Sequence, residues 1–515
     1  MNLERYNIEH GCAHTGTLGS PNATESDTPS RFGNSFWLTK DILLGLAISL
    51  CLLIPCFWHS HIQAGDLGSH TYNAWLAQLI QKGKAPGLYL ALQWQNVLFD
   101  LLLFYLVKLV GFTLGEKLAV SLCVLIFFWG VFAFFCRTTH RAPWLLSPLI
   151  AMLCYSYVFH MGFMNFYLSI GLACFGLAAI WNGTWRGIGG AILLSPFIIL
   201  AHPLGILWLI GVAIYRFAWL ATTGILRLSL PIVVGVSLWV VRGYLKLHPQ
   251  YRADWAELPF YQWNGSDQFR IFGNAYSYLS WVIVVLGLAF IAMELWQRKR
   301  DAGFWKERRL LVELYLISFC AVVFLPEDLR PDPGGSWIGS LATRLTLLCT
   351  IFAVCFLASL RPQIIHLLGF GGCAAVFFFM VHRDTGMLDR MERNAESITA
   401  QLPFGTRVAS TVFSPADFRP HYEHIVDRAC IERCFLYSNY EPSTLKFRVR
   451  VRKQGSPLVA SDVDDAEDLQ FGNYDVEDGD LPMKQIYQCD PADLTKLCIR
   501  DLESGEKNGR LGYHP

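Results

Sequence analysis

Apolar runs of about 17 to 25 residues recur through the first three quarters of the chain, and they restrict its fold more than any other feature. In hydrocarbon, backbone polar groups have no water to bond, so each such run must close its hydrogen bonds within itself as a helix. Spans are expected near 37–58, 117–136, 143–159, 164–181, 188–201, 203–221, 225–242, 276–296, 310–325, 341–359 and 363–381. Composition agrees: 53% of 515 residues are hydrophobic and 16% charged, too apolar for an ordinary soluble protein of this length. The expected fold class is an α-helical polytopic membrane protein of about eleven transmembrane helices, with interfacial helices in the first external loop and a small C-terminal α+β extracytoplasmic domain. A net charge of +1 gives no reason to expect a nucleic-acid partner.

Residues 1–36 are polar and rich in Ser, Thr, Gly and Asn, and read as a disordered cytoplasmic tail. Lys and Arg set the orientation of the rest, because short cytoplasmic loops collect them. The segment "QRKRDAGFWKERR" (297–309) holds the densest group, and if it is cytoplasmic then Arg137, Arg141, Arg186, Arg227 and Arg361 fall on the same side. That count requires "QWQNVLFDLLLFYLVKLVG" (93–111) not to cross the bilayer. Its Asp100, Lys108 and polar start suit a helix lying at the interface or dipping into it.

Three regions follow: the tail 1–36, a transmembrane region 37–381 with a first external loop at 59–116, and a domain at 382–515. The last alternates helix-like "MLDRMERNAESITAQL" with strand-like "STLKFRVRVR", and its acidic "SDVDDAEDLQFGNYDVEDGD" reads as a solvated loop. Ten cysteines lie in or at the ends of spans, where Cys acts as a small apolar residue. Cys430, Cys434, Cys489 and Cys498 fall in the external domain and are expected to form two disulfides, with three connectivities open. A metal set of His421, His424, Cys430 and Cys434 is the rival, but its spacing matches no zinc pattern.

Chemistry is expected at "QAGDLGSHTYNAWL" (63–76), directly after the first span. Asp66 is a favoured helix N-cap, with Ser69 placed to share that work. His70 and Asn73 follow at i+4 and i+7 on one helix face, while Leu67, Trp75, Leu79 and Ile80 spread over the other. Capping and reactivity are compatible roles for one carboxylate.

The order of a first span, an external loop opening on an acidic residue, an amphipathic helix, a Lys-x-Pro-Gly turn, a second interfacial helix, many spans and a terminal external domain resembles the GT-C class of polytopic glycosyltransferases. Within that class it resembles the RgtA/B/C/D-like and protein mannosyltransferase-like enzymes. The likeness covers roughly 37–381 and is strongest between Asp66 and Gly111. It implies a catalytic base at Asp66 and a polyprenyl-phosphate sugar as donor. Many members pair two acidic residues here, whereas Leu67 follows Asp66. A metal-independent mechanism without a cofactor is therefore expected ahead of one that uses a divalent ion.

On that expectation His70 and Asn73 support the base. The leaving lipid phosphate needs cations or N–H donors at external span ends, and Arg344, His202 and His160 are the candidates. Each also has an ordinary structural use, as a snorkelling cation, a partner for backbone beside Pro203, or an interfacial histidine. Gln93, Trp94, Gln95 and Asn96 are candidates to line an acceptor or sugar pocket, Trp94 being equally suited to anchoring at the interface. The aromatic loop 248–269 suits stacking on sugar rings, and 325–335 suits a Gly/Pro-hinged lid. The expected partners are the bilayer, a lipid-linked sugar donor and a glycan, lipid or protein acceptor, and the expected location is a bacterial inner membrane. A transporter or flippase for a lipid-linked glycan, or a membrane-anchored binding module, would also fit the hydropathy.

Overall fold

The computed structural model describes residues 31–248, 250–255, 263–298, 302–331, 338–413, 418–419 and 422–509. Two compact units make up the chain, Met1–Leu50 and Cys51–Pro515, and the geometry of the candidate site belongs to the second.

Among the described residues the helices are α1 (Arg31–Phe57), α2 (Leu67–Gln81), α3 (Leu98–Val110), α4 (Phe112–Thr139), α5 (Ser147–Cys154), α6 (Tyr157–His160), α7 (Met164–Ile180), α8 (Trp185–Ala201), α9 (Pro203–Ala221), α10 (Gly224–Leu247), α11 (Asn274–Arg298), α12 (Ala302–Phe324), α13 (Leu341–Ser359) and α14 (Ile364–Thr399). Seven of them (α1, α4, α9, α10, α11, α13 and α14) are long and apolar enough to cross a bilayer. The chain is an integral membrane protein of the polytopic helical kind. Eleven spans were expected; the difference lies in shorter or more charged helices. The run at 143–159 is broken at Tyr155–Ser156 into α5 and α6, α7 and α8 have 17 residues each, and α12 carries Arg308, Arg309 and Glu313.

Small residues permit close helix crossings in the bundle. A Cβ on Gly130 of α4 would sit 2.2 Å from the carbonyl oxygen of Gly171 on α7, so only glycine lets these backbones approach. Beside that contact Phe127 stacks on Tyr167 with ring centroids 4.3 Å apart.

The first loop returns to the face it leaves. Lys117 at the start of α4 donates to the carbonyl of His59, just past α1, at 2.8 Å. Ends joined by one hydrogen bond cannot lie on opposite sides of a membrane, so the segment between them does not cross it an odd number of times. Helix α3, of 13 residues, reaches only about 20 Å against the ~30 Å of a hydrocarbon core. It buries Phe99, Leu103, Phe104 and Val107 and exposes Tyr105 and Leu109.

Helix α2 departs from expectation. It was read as an interfacial helix with a polar edge, yet twelve of its fifteen residues are buried. The reason is the C-terminal region, which packs over it. Helix α14 runs unbroken past the expected domain boundary at 382 and ends at Thr399. Beyond it lie β4 (Thr406–Thr411), α15 (Ile425–Ala429), β5 (Cys434–Leu436), α16 (Glu441–Thr444), β6 (Val449–Val451), α17 (Val463–Phe471), β7 (Met483–Gln488) and β8 (Leu497–Asp501). Strands β5, β4, β7 and β8 form one sheet in that order, parallel except for β7–β8. Its core includes Ala409, Leu469, Val476 and Met483.

Strand β6 is the ordered part of the strand-like run, and it pairs with Leu88–Leu90 (β1) of the first loop rather than with the four-stranded sheet. The acidic stretch expected as a loop contains α17. Asp462 caps it by accepting from the Asp464 N–H at 2.9 Å, Asp464 and Asp465 suit the positive end of the dipole, and Ala466 and Leu469 bury one face. Both disulfides form, Cys430–Cys434 and Cys489–Cys498.

Candidate functional site

Asp66 sits at the start of α2, on a turn pinned by its backbone. Gly65 N–H donates to the His160 carbonyl at 2.8 Å and Asp66 N–H to that of Met161 at 3.2 Å. The side chain takes no part in capping: Asp66 has helical backbone angles and makes no cap bond. Ser69, expected to share that task, instead donates to Glu441 at 2.8 Å. Among the described residues no side chain donates a hydrogen bond to the Asp66 carboxylate, which is only partly buried. It nevertheless lies within electrostatic reach of His70, His424, Arg344 and Tyr440.

Each imidazole is fixed by its own carboxylate. His70 Nδ1 bonds Asp100 Oδ1 at 2.7 Å, and Asn165 secures Asp100 by donating to Oδ2 at 2.8 Å while accepting from the Phe99 N–H at 2.8 Å. Burial alone would push His70 down, but Asp100, helped by Glu441 and Asp66, lifts it to about 9. His424, just before α15, bonds Asp427 through Nδ1 at 3.0 Å. Burial opposes its charge too, and Asp427 with Asp66 raises it to about 9. In both rings Nδ1–H is the donor to carboxylate, leaving Nε2–H for another acceptor. Glu441, buried against Ser69, is pushed up to about 7 by its burial, with His70 opposing.

Arg344 enters from the start of α13. Its guanidinium lies 4.2 Å from the Phe163 ring centroid and donates to the Gly339 carbonyl at 2.5 Å, while Nε is buried with no partner among the described residues. His202, between α8 and α9, accepts from the Leu204 N–H at Nδ1 (3.2 Å), which puts the proton of its neutral ring on Nε2. It lies within electrostatic reach of Arg344 and stands edge-on to Phe166 at 5.5 Å. His160 has a different place. It is buried beneath the turn, with Nδ1 bonded to the Gln63 carbonyl at 3.1 Å.

Asn73 clasps the C-terminal region, accepting from Asn439 Nδ2 at 3.0 Å. Gln93 donates to the carbonyls of Gln95 (3.0 Å) and Lys446 (2.8 Å), Trp94 is exposed, and Val97, following Asn96, donates to Leu200 at 2.9 Å. Their described contacts lead to Lys446 and the end of α8 and not to Asp66. The expected lid is described through Pro331, where β3 (Asp328–Pro331) pairs with β2 (Tyr251–Asp254), and its 332–335 lies outside the described residues, as do 256–262 of the aromatic loop. Of the rival metal set, Cys430 and Cys434 are bonded to each other, His424 is bonded to Asp427, and His421 lies outside the described residues.

Sequence reasoning missed Asp100 as the partner of His70, together with Asn165, Asp427, Tyr440 and Glu441, and placed His424 only in the rival metal set. The Ser69–Glu441 contact spans 372 residues and the Asp100–Asn165 contact 65, separations for which local spacing carries no signal. Only Gly68 offers a local hint. A Cβ there would come within 2.3 Å of the His424 carbonyl oxygen, so "DLGSH" requires glycine where the C-terminal region touches α2.

Comparison with protein-family models, curated proteins and solved structures finds no match to this chain.

Proposed function

We propose that the chain is an integral membrane glycosyltransferase of GT-C type, moving a sugar from a polyprenyl-phosphate carrier to an acceptor hydroxyl at the extracytoplasmic face. Asp66 takes the proton of the acceptor hydroxyl as its oxygen bonds the anomeric carbon. The bond from that carbon to the lipid phosphate breaks, and the phosphate leaves with the electron pair. Arg344, His202 and the Nε2–H groups of His70 and His424 are the donors available to a phosphate there.

The observation that carries the proposal is the Asp66 carboxylate, held by its backbone, unbonded by protein donors, and within reach of one guanidinium and two carboxylate-backed imidazoles. Orientation is part of the proposal. Arg141 and Arg308 meet at the Ser359 carbonyl, and Arg309 reaches the Arg227 carbonyl, so basic side chains gather at the bundle end remote from the first loop. By the positive-inside rule that end faces the cytoplasm, and two disulfides on the other side suit an oxidising compartment. Counting α7, α8, α12 and the α5–α6 pair as spans restores eleven, with α3 dipping into the interface.

Asp66→Asn and Asp66→Ala, inserted normally in the membrane, are expected to lower transfer from a polyprenyl-phosphate sugar by about 100-fold or more. Undiminished transfer in both variants would rule out Asp66 as the base.

A further inference from the structure

A second cleft lies where α1 ends. It encloses about 580 Å³ and is lined by Trp58, His59 and Ser60 on one side and by His382, Arg383, Gly386, Arg390 and Arg393 of α14 on the other, with Asp389 at its base. None of these residues belongs to the Asp66 site.

The α14 side has an ordered pattern along one helix face. Val376, Phe379, Arg383, Gly386, Arg390 and Arg393 recur at alternating spacings of three and four, so they form a single stripe. Its lower part is apolar and bare: Val376 is 50% and Phe379 70% exposed, as are Ile54 (57%) and Phe57 (47%) on α1. The upper part is basic. The change from apolar to basic happens within about one turn, the pattern of a helix that passes from hydrocarbon to headgroups.

Gly386 leaves the cleft open, since a Cβ there would already stand 3.1 Å from His59 Cε1. The charges do not cancel. Arg383 is paired with Asp384 at 2.7 Å and Arg393 with Asp389, but Arg390 is exposed and makes no hydrogen bond or ion pair among the described residues. That guanidinium has the exposed Asp493 carboxylate within electrostatic reach but no ion-pair contact with it, and with two imidazoles and two further arginines beside it suits a phosphodiester. Arg390 stands just over three turns above Phe379, about 16 Å along the axis, with Arg383 and Gly386 between them, so its long side chain must reach down the cleft to meet a headgroup phosphate.

We propose that this cleft binds the phosphate of an anionic phospholipid, with the acyl chains lying along the Val376–Phe379 face of α14 and the exposed end of α1. The bare apolar stripe favours a lipid over a free anion. The space towards Asp66 is filled by protein, His61 bonding Asp389 at 3.2 Å and Gln63 bonding Glu392 at 2.7 Å, which separates this phosphate from the reacting one. The site stands independently of the transfer reaction.

The test uses the full chain purified in a neutral detergent and offered phosphatidylglycerol, phosphatidylcholine, a polyprenyl phosphate or inorganic phosphate, with bound lipid counted by native mass spectrometry. Wild type is expected to retain phosphatidylglycerol in preference to phosphatidylcholine. Arg390→Ala is expected to lower that preference about fivefold and Arg390→Lys to keep most of it. Arg390 is exposed, so both variants should fold, and melting temperatures equal to wild type check this. Equal retention of the two phospholipids, an unchanged preference in Arg390→Ala, displacement by millimolar inorganic phosphate, or stronger retention of polyprenyl phosphate at this site would each overturn the proposal.

Discussion

An imidazole tied to a carboxylate through one nitrogen presents the other as a donor of fixed direction, and at His70 the tie also determines charge. Asp100 raises its pKa to about 9 from an ordinary 6.5, so the folded chain favours the protonated ring. A raised folded-state pKa contributes stability that is complete below 6.5 and is lost as pH rises through about 9. His424 acts in the same window, while Glu441, raised by burial from an ordinary 4.5 to about 7, adds a loss of the same sign between those two values that is complete once pH passes 7. The wild-type melting temperature is therefore expected to fall between pH 6.5 and 9. Asp100→Asn should flatten part of that slope and lower stability at pH 7 by about 1.5 to 3 kcal/mol, the worth of a hydrogen bond to a charged group. Parallel slopes in variant and wild type would show that His70 is not charged by Asp100. Asp100 stands in the sequence as one charge in an apolar helix; its pairing became evident only when α3 was seen to lie against α2.

At the scale of elements, α2 is decided by what covers it. Its sequence has a period suited to a half-exposed helix, and the structure buries it nearly all round. Gly68 is where that burial is closest, and Gly68→Ala puts a methyl group 2.3 Å from a backbone oxygen that cannot swing aside. The expected cost is about 1 to 3 kcal/mol, as for an overpacked core, with faster proteolysis of residues 422–509 and weaker transfer. Unchanged melting temperature and proteolysis would mean that α2 and the C-terminal region separate readily. Helix α17 gives the converse lesson. Its Asp462 cap and acidic first turn are local signals, legible in the sequence once the density of acidic residues is not taken to mean a loop.

At the scale of the whole molecule, a buried ionic hub joins the first loop, the bundle and the C-terminal region. Arg428 donates to Glu116 at 2.6 Å, to Glu392 at 2.6 and 2.8 Å, and to the Ile62 carbonyl at 3.0 Å, while Thr71 donates to Glu116 at 2.6 Å. The two glutamates hold Arg428 more strongly protonated than usual, although burial opposes it. Removing the cation leaves two buried carboxylates facing each other, so Arg428→Ala is expected to destabilise the chain by about 3 to 5 kcal/mol. Adding Glu116→Gln and Glu392→Gln should restore part of that loss in thermal unfolding of the purified protein. No restoration would mean that packing, not charge, is what Arg428 supplies. The sequence by itself determined the membrane class and the positions of most helices, because solvation of apolar runs and helix periodicity are local properties. Tertiary structure alone decided that α2 is buried, that the Asp66 side chain caps nothing, which cysteines pair, and that His424 and Glu441 join a loop more than 350 residues earlier. Those outcomes depend on which distant surfaces can approach closely enough to exclude water, and that is a property of the packed whole.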